Sequence, residues 1–176
     1  AYMTWFRQCY DHRNIQPYPT YYAMQRAMQP VLVSAELWGR NLYAGEKLHT
    51  RIYVVNDNEE GRDLKPMSLA WSIVDETNKV LASGTEQFPA VEYYGRKYIE
   101  PNIHMPSNLP ADKVNVKLKL TLTESGVTLS QNEYGLSLAR KERNIGQVTA
   151  SKKILLLDKD HMKVTLDFLD IACQTV

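Results

Sequence analysis

Apolar and polar side chains alternate without interruption over residues 113–123, KVNVKLKLTLT. Val114, Val116, Leu118, Leu120 and Leu122 share one face of an extended chain, and Asn115, Lys117, Lys119, Thr121 and Thr123 share the other. A strict two-residue period predicts a β-strand. One apolar and one hydrophilic face belong to a sheet with one side on a core and one in water, the habit of antiparallel sandwiches. The same period recurs upstream. Val31, Val33, Ala35 and Leu37 alternate with Leu32, Ser34, Glu36 and Trp38. Within 47–56, Leu48, Thr50, Ile52 and Val54 point one way, and His49, Arg51 and Tyr53 the other. Met67, Leu69, Trp71 and Ile73 form a third inward stripe, with Trp71 as the large ring of a sandwich core. Residues 79–85 predict a short strand after a turn at Thr77-Asn78-Lys79, and Asn41 and Ala44-Gly45-Glu46 read as punctuation. Residues 98–105 predict an edge strand carrying Pro101, with Ile99, Ile103 and Met105 inward. Residues 127–140, after Ser125-Gly126, supply the last, with Tyr134, Leu136 and Leu138 inward. Such strands at regular spacing, joined by turn signals, predict a mainly β fold: an antiparallel β-sandwich over residues 31–142.

The ends follow other rules. Residues 1–16 hold Tyr2, Trp5, Phe6 and Tyr10 without a period, so these rings need a surface to pack on. Residues 21–29, YYAMQRAMQ, place Tyr21, Met24, Ala27 and Met28 at helical spacing, with Thr20 as N-cap and Pro30 as the stop. Residues 142–151 are polar and read as a linker. KILLLD at 153–158 predicts a buried strand, and 162–169 a helix with Val164, Phe168 and Leu169 on one side. A second strand follows from Ala172. This is a β-α-β beginning of an α/β domain that is truncated. The domains expected are 1–30, 31–142, a linker at 143–151, and 152–176.

Composition removes several function classes. A formal net charge of +1 gives no electrostatic footprint for nucleic acid or an acidic membrane. No apolar run approaches the roughly 20 residues that span a bilayer. Cys9 and Cys173 lie near opposite ends and read as unpaired thiols. His12, His49, His104 and His161 share no ligand spacing, so neither a metal nor another cofactor is expected. There is no initiator Met and no signal-peptide pattern, so the chain reads as a segment of something longer, and its start is silent on location.

Three stretches carry a resemblance: YPTYYAMQRAMQPVLVS at 18–34, AGEKLHTRIYVVNDNEE at 44–60 and LAWSIVDETNKVLASG at 69–84. A helix leading directly into a Pro-Val strand start and then a sandwich resembles the end of the catalytic TIM barrel and the following immunoglobulin-like domain of family 2 glycoside hydrolases. That group includes the β-galactosidases, β-mannosidases and β-glucuronidases. The resemblance covers roughly 5–142 and consists of framework residues. From Lys152 the tail resembles the start of a flavodoxin-like or glutamine-amidotransferase-like domain. The resemblance implies a retaining glycosidase with two glutamates about 5 Å apart, both on barrel strands before the last helix. No Glu precedes Glu36, and the only acid in the first thirty-five residues is Asp11. Hence no catalytic residue is expected here. The expected partners are the missing barrel and flanking domains of the parent chain, and carbohydrate. Bacterial relatives that degrade glycans point to a periplasmic or extracellular setting.

Among individual residues, Trp5 is the carbohydrate-contact candidate, since related members place a tryptophan near this point against the sugar site; packing between barrel and sandwich is the plainer use of the ring. Tyr93, Tyr94 and Tyr98 suit either a sugar surface or a sheet edge. Lys113, Lys117 and Lys119 with Arg51 read as a solvated strand face rather than a basic patch. Asp11 with His12 lacks any accompanying nucleophile. The reading from another class is a free-standing immunoglobulin-like binding or adhesion module of a cell-surface protein.

Overall fold

The computed structural model describes residues 6–7, 13–141, 155–156, 163–164, 166 and 173–175. The chain divides into two compact units, residues 1–139 and 140–176.

In the first unit, the short strands β1 (Phe6–Arg7) and β2 (Gln16–Pro17) pair antiparallel ahead of a helix, α1 (Pro19–Ala27). The helix starts earlier than its sequence period predicts. Tyr18 occupies the N-cap position without a side-chain cap and Pro19 opens the helix. Proline has the right φ for that place and no N–H to leave unsatisfied. Thr20 therefore lies in the first turn.

Eight strands follow: β3 (Val31–Ala35), β4 (Asn41–Tyr43), β5 (Ile52–Asn56), β6 (Met67–Asp75), β7 (Val80–Phe88), β8 (Arg96–Ile99), β9 (Lys113–Glu124) and β10 (Val127–Ala139). They form a β-sandwich of a three-stranded sheet, β3-β5-β8, and a five-stranded sheet, β4-β10-β9-β6-β7. All pairs are antiparallel except β4 with β10, which is parallel. The chain enters on one sheet at β3, crosses to the other at β4 and returns at β5, the order of an immunoglobulin-like sandwich.

The core is where the alternation puts it. Val116, Leu118, Leu120 and Leu122 of β9 and Met67, Leu69, Trp71 and Ile73 of β6 face Val31, Val33, Ile52 and Val54, all buried. Two expected strands are shorter than their patterns. Leu48 and Thr50 keep the inward phase, but β5 begins only at Ile52. β8 ends at Ile99, because Pro101 brings no N–H to the ladder. Ile103 and Met105 are buried all the same, held by Leu48 N–H on the Ile103 carbonyl (2.9 Å) and Met105 N–H on the Glu46 carbonyl (2.8 Å). The stretch read as punctuation at Asn41 contains β4, whose three residues are too few to show a period.

Strand β3 is an edge of its sheet, yet three alternate side chains of β10 close it. Val33 N–H donates to Ser130 Oγ (3.0 Å), Asn132 Nδ2 donates to the Val33 carbonyl (3.0 Å), and Ala35 N–H donates to Tyr134 Oη (3.0 Å). An open edge invites pairing with another chain, so these polar groups serve both stability and solubility. Ser130 also donates to Gln29 Oε1 (3.0 Å), and Gln29 Nε2 donates to the Gln131 carbonyl (3.0 Å), which ties the helix exit to β10. Tyr134 Oη accepts from Asn132 Nδ2 as well (3.0 Å). Replacing Tyr134 with Phe removes one acceptor from two donors. The expected cost is about 1 kcal/mol, read as a lower denaturation midpoint at unchanged slope and faster exchange of the Ala35 amide.

In the second unit, β11 (Leu155–Leu156) and β12 (Gln174–Thr175) pair in parallel, with helical residues at 163, 164 and 166 between them. Leu156 is buried, as its apolar run predicts, but Val164, read as part of the apolar side, is exposed. Phe168, Leu169 and the 142–151 linker lie outside the described residues.

Candidate functional site

Outward-facing side chains of the three-stranded sheet build the most chemically varied surface on the sandwich. Tyr53 of β5 and Tyr98 of β8 are direct cross-strand partners, with ring centroids 5.3 Å apart. Arg51, one residue before β5, lies over the Tyr98 ring at 5.0 Å and donates from Nε to Glu100 Oε1 at 3.1 Å. Glu36, one residue after β3, is anchored through its backbone: its N–H donates to the Arg51 carbonyl (2.9 Å) and its carbonyl accepts from Thr50 Oγ1 (3.0 Å). Its carboxylate then holds two rings, accepting from Trp38 Nε1 on Oε1 (3.0 Å) and from Tyr53 Oη on Oε2 (3.3 Å). Trp38 is 90% exposed. Glu36, Trp38, Lys47, His49, Arg51 and Glu100 line a cleft of about 330 Å³.

A second polar cluster sits where the loop after β5 meets the end of β9. Arg62 and Glu124 form a two-pronged ion pair, Nη1 to Oε1 at 3.1 Å and Nη2 to Oε2 at 2.8 Å. Lys65 N–H donates to Glu124 Oε1 (2.6 Å), and Arg62 Nε reaches Glu60 Oε2 (2.6 Å). The Arg62 guanidinium, and after it the Lys65 N–H, hold the Glu124 carboxyl below its ordinary range against the opposing effect of burial. Beside this pair, Asn56 is fully buried and donates to the carbonyls of Arg62 (3.0 Å) and Val91 (3.2 Å). These groups bond one another across the loop after β5, the segment at Val91 and the end of β9, so the cluster is a brace between sheets.

The sequence candidates fare unevenly. Trp5, Asp11 and His12 lie outside the described residues. The tyrosine-rich segment splits in two. Tyr98 packs against Tyr53 and under Arg51 on the strand, whereas Tyr93 and Tyr94 sit in the turn before β8, with centroids 4.2 Å apart. Tyr94 has φ +56°, in a turn closed by Gly95 N–H on the Glu92 carbonyl (2.9 Å). Arg51 and the lysines of β9 occupy opposite outer faces of the sandwich and make no common patch. Lys117 pairs with Glu133 (3.2 Å) and Lys119 with Asn78 (2.9 Å). Sequence reasoning did not single out Glu36 and Trp38, although the alternation had already placed both outward, as it had His49, Arg51 and Tyr53. Among the described residues no three metal-ligating side chains come together, and no helix is long and apolar enough to cross a membrane.

No family model matches the chain, and no curated protein matches it in sequence. Solved structures share parts of the fold. A β-glucuronidase of glycoside hydrolase family 2 superposes with a TM-score of 0.45 at 15% identity, over 61% of this chain and 11% of that one. A family 123 glycoside hydrolase from Clostridium perfringens gives 0.34 at 15% identity, over 63% of this chain and 27% of that one. The sporulation control protein Spo0M from Bacillus subtilis gives 0.37 at 15% identity, over 62% of this chain and 49% of that one. The chain thus spans about a tenth of the length of the β-glucuronidase. The similarity to its domain is weak, and proteins of unrelated function share it at comparable scores. The chain is a β-sandwich, and these matches assign it to no family.

Proposed function

We propose that this chain is a non-catalytic accessory region of a retaining glycoside hydrolase acting on β-glycosides, supporting the catalytic barrel and the arrangement of domains around it. The observation that carries the reading is the exit of α1. None of its residues is buried, and Tyr22, Met24 and the adjoining Met28 expose their apolar side chains. A nine-residue helix is too short to hold itself without tertiary packing. It runs through Gln29 and Pro30 into β3, and Gln29 fixes that junction to β10. A helix bared on its apolar side and pinned at its exit to a fully cored sandwich suits a barrel helix whose other neighbours are supplied from upstream. The order of helix, Pro-Val strand start and sandwich supports the same reading, as it is the order in the family that the sequence resembles.

The test is hydrolysis of a panel of nitrophenyl β-glycosides by the protein of the longer reading frame, with this chain assayed beside it. Turnover by the long form alone is the expected result, and the preferred sugar names the parent activity. No turnover by the long form on any sugar overturns the reading in favour of a binding or adhesion module. Turnover by this chain alone overturns its assignment as non-catalytic.

A further inference from the structure

We propose that the cleft beside Trp38 is a binding site for a neutral sugar residue of an oligosaccharide. Three observations converge on that ligand. The first is the indole. Trp38 exposes nearly its whole ring while Glu36 fixes its N–H, so the face is both free and oriented before anything binds. An aromatic face held in place without losing side-chain freedom on binding is a stacking platform for the C–H face of a pyranose. The second is hydrogen-bonding capacity. Each carboxylate oxygen accepts from two directions. Glu36 has spent one direction on each oxygen, on Trp38 and Tyr53, and Glu100 accepts the Arg51 bond on Oε1. Sugar hydroxyls both donate and accept, so they complete acceptors on Glu36 and Glu100 and take donors from Arg51, which has five N–H groups. The third is charge balance. Lys47 and Arg51 offset Glu36 and Glu100 within one cleft, which gives no net attraction for an anion such as a uronate or a phosphate. The volume, about 330 Å³, is at the small end for ligand pockets, the size of a one- or two-ring ligand. The lining is mostly polar, with Leu48 and Pro101 as its apolar residues besides the indole, and so lacks the large apolar centre of a protein interface.

The inference stands without the glycosidase reading, since it concerns binding by this chain alone. The experiment titrates the ¹⁵N-labelled chain with cellotetraose, mannotetraose and a β-linked galactose tetrasaccharide, following the indole N–H resonances and, in parallel, the heat of binding. A saturable shift of one indole resonance is expected with at least one of these sugars, and that resonance is missing from Trp38→Ala. Calorimetry should show at least a tenfold loss of affinity in Trp38→Ala and a several-fold loss in Glu36→Gln. Trp38 is on the surface, so both variants should unfold at the parent temperature. No indole shift with any of the three sugars overturns the proposal, as does unchanged affinity in Trp38→Ala. Loss of a dimer in Trp38→Ala, seen as a later elution volume without sugar, also overturns it and makes this face an interface between copies. The readout here is sugar binding by this chain, and the readout there is turnover by the longer protein, so failure here and failure of the glycosidase reading are separate results.

Discussion

Replacing Trp71 with Ala should cost about 4 kcal/mol, the middle of the range for loss of a buried aromatic side chain. The ring lies mid-strand in β6, in the core with Leu69, Ile73 and Leu120. Its cross-strand partner on β7 is Gly84. A Cβ at Gly84 would sit 2.5 Å from Cζ2 of Trp71 and 2.7 Å from Cε2. The glycine is therefore space reserved for the ring. Gly84→Ala should itself cost about 2 kcal/mol, because a buried indole has nowhere to retreat in a close-packed interior. The two costs must couple. With the ring gone, the methyl group enters the vacated space, so the double variant should be more stable than the sum of the singles by at least about 1 kcal/mol. Equal costs of Gly84→Ala in both backgrounds would mean that the glycine is required for strand geometry and not for the ring. Trp71→Phe should fall between parent and Ala, since Trp71 Nε1 finds no acceptor among the described residues and its removal strands nothing. Urea denaturation of the parent and these four variants measures all of this, with constant slope as the check that only stability has changed.

That pair also marks what the sequence makes legible. Trp71 is readable as a core ring because its neighbours at two-residue spacing are Leu69 and Ile73. The role of Gly84 is not, because it depends on the register of β6 against β7, which a one-dimensional period does not contain. The same distinction separates other elements. Strand β9 is legible from the clean alternation over residues 113–123. Strand β4 is hidden, because three residues paired in parallel at an edge show no period. Buried Asn56 reads as part of a polar turn, yet its side chain bonds two carbonyls far apart in sequence.

The cleft shows how far phase reading extends towards a site. Alternation puts Glu36 and Trp38 on the outer side of β3, and His49, Arg51 and Tyr53 on the outer side of β5. What it omits is that β3 and β5 are neighbours, which brings Glu36 within 3.3 Å of the Tyr53 hydroxyl. Pairing joins two ordinary polar faces into one surface. The tyrosine-rich segment fails the opposite way. It reads as one stretch, a sugar surface or a sheet edge, but the turn at Tyr94 and Gly95 separates Tyr93 and Tyr94 from Tyr98, which lies within the strand that follows.

Glu124→Ala should cost about 2 kcal/mol at neutral pH, the scale of charge-assisted bonds removed from a buried acceptor. The strand phase that buries Val116, Leu118, Leu120 and Leu122 carries on to Glu124 and turns it inward, where it is 8% exposed. Removing it strands the Lys65 N–H and frees one face of Arg62. Arg62 is itself partly in water and recovers some hydration, which keeps the cost below that of a fully buried pair. Its pH dependence has a definite sign. The folded-state pKa of Glu124 lies below its unfolded value, about 4.3. The brace therefore contributes fully above about pH 5 and is lost as pH falls through the folded-state value. Glu124→Gln keeps an acceptor for Lys65 but not the charge, so it should cost less than Ala and remove this group's part of the acid dependence. Parent and Gln variant should thus differ most near pH 7 and converge as pH falls through the folded-state value of Glu124. Asp75 works in the same direction, since Thr77 and the Lys79 backbone lower its pKa, so some acid loss survives in the variant. A stability gap between parent and Gln variant that stays constant from pH 7 to 3 would show that the Glu124 charge contributes nothing and that shape alone holds the brace.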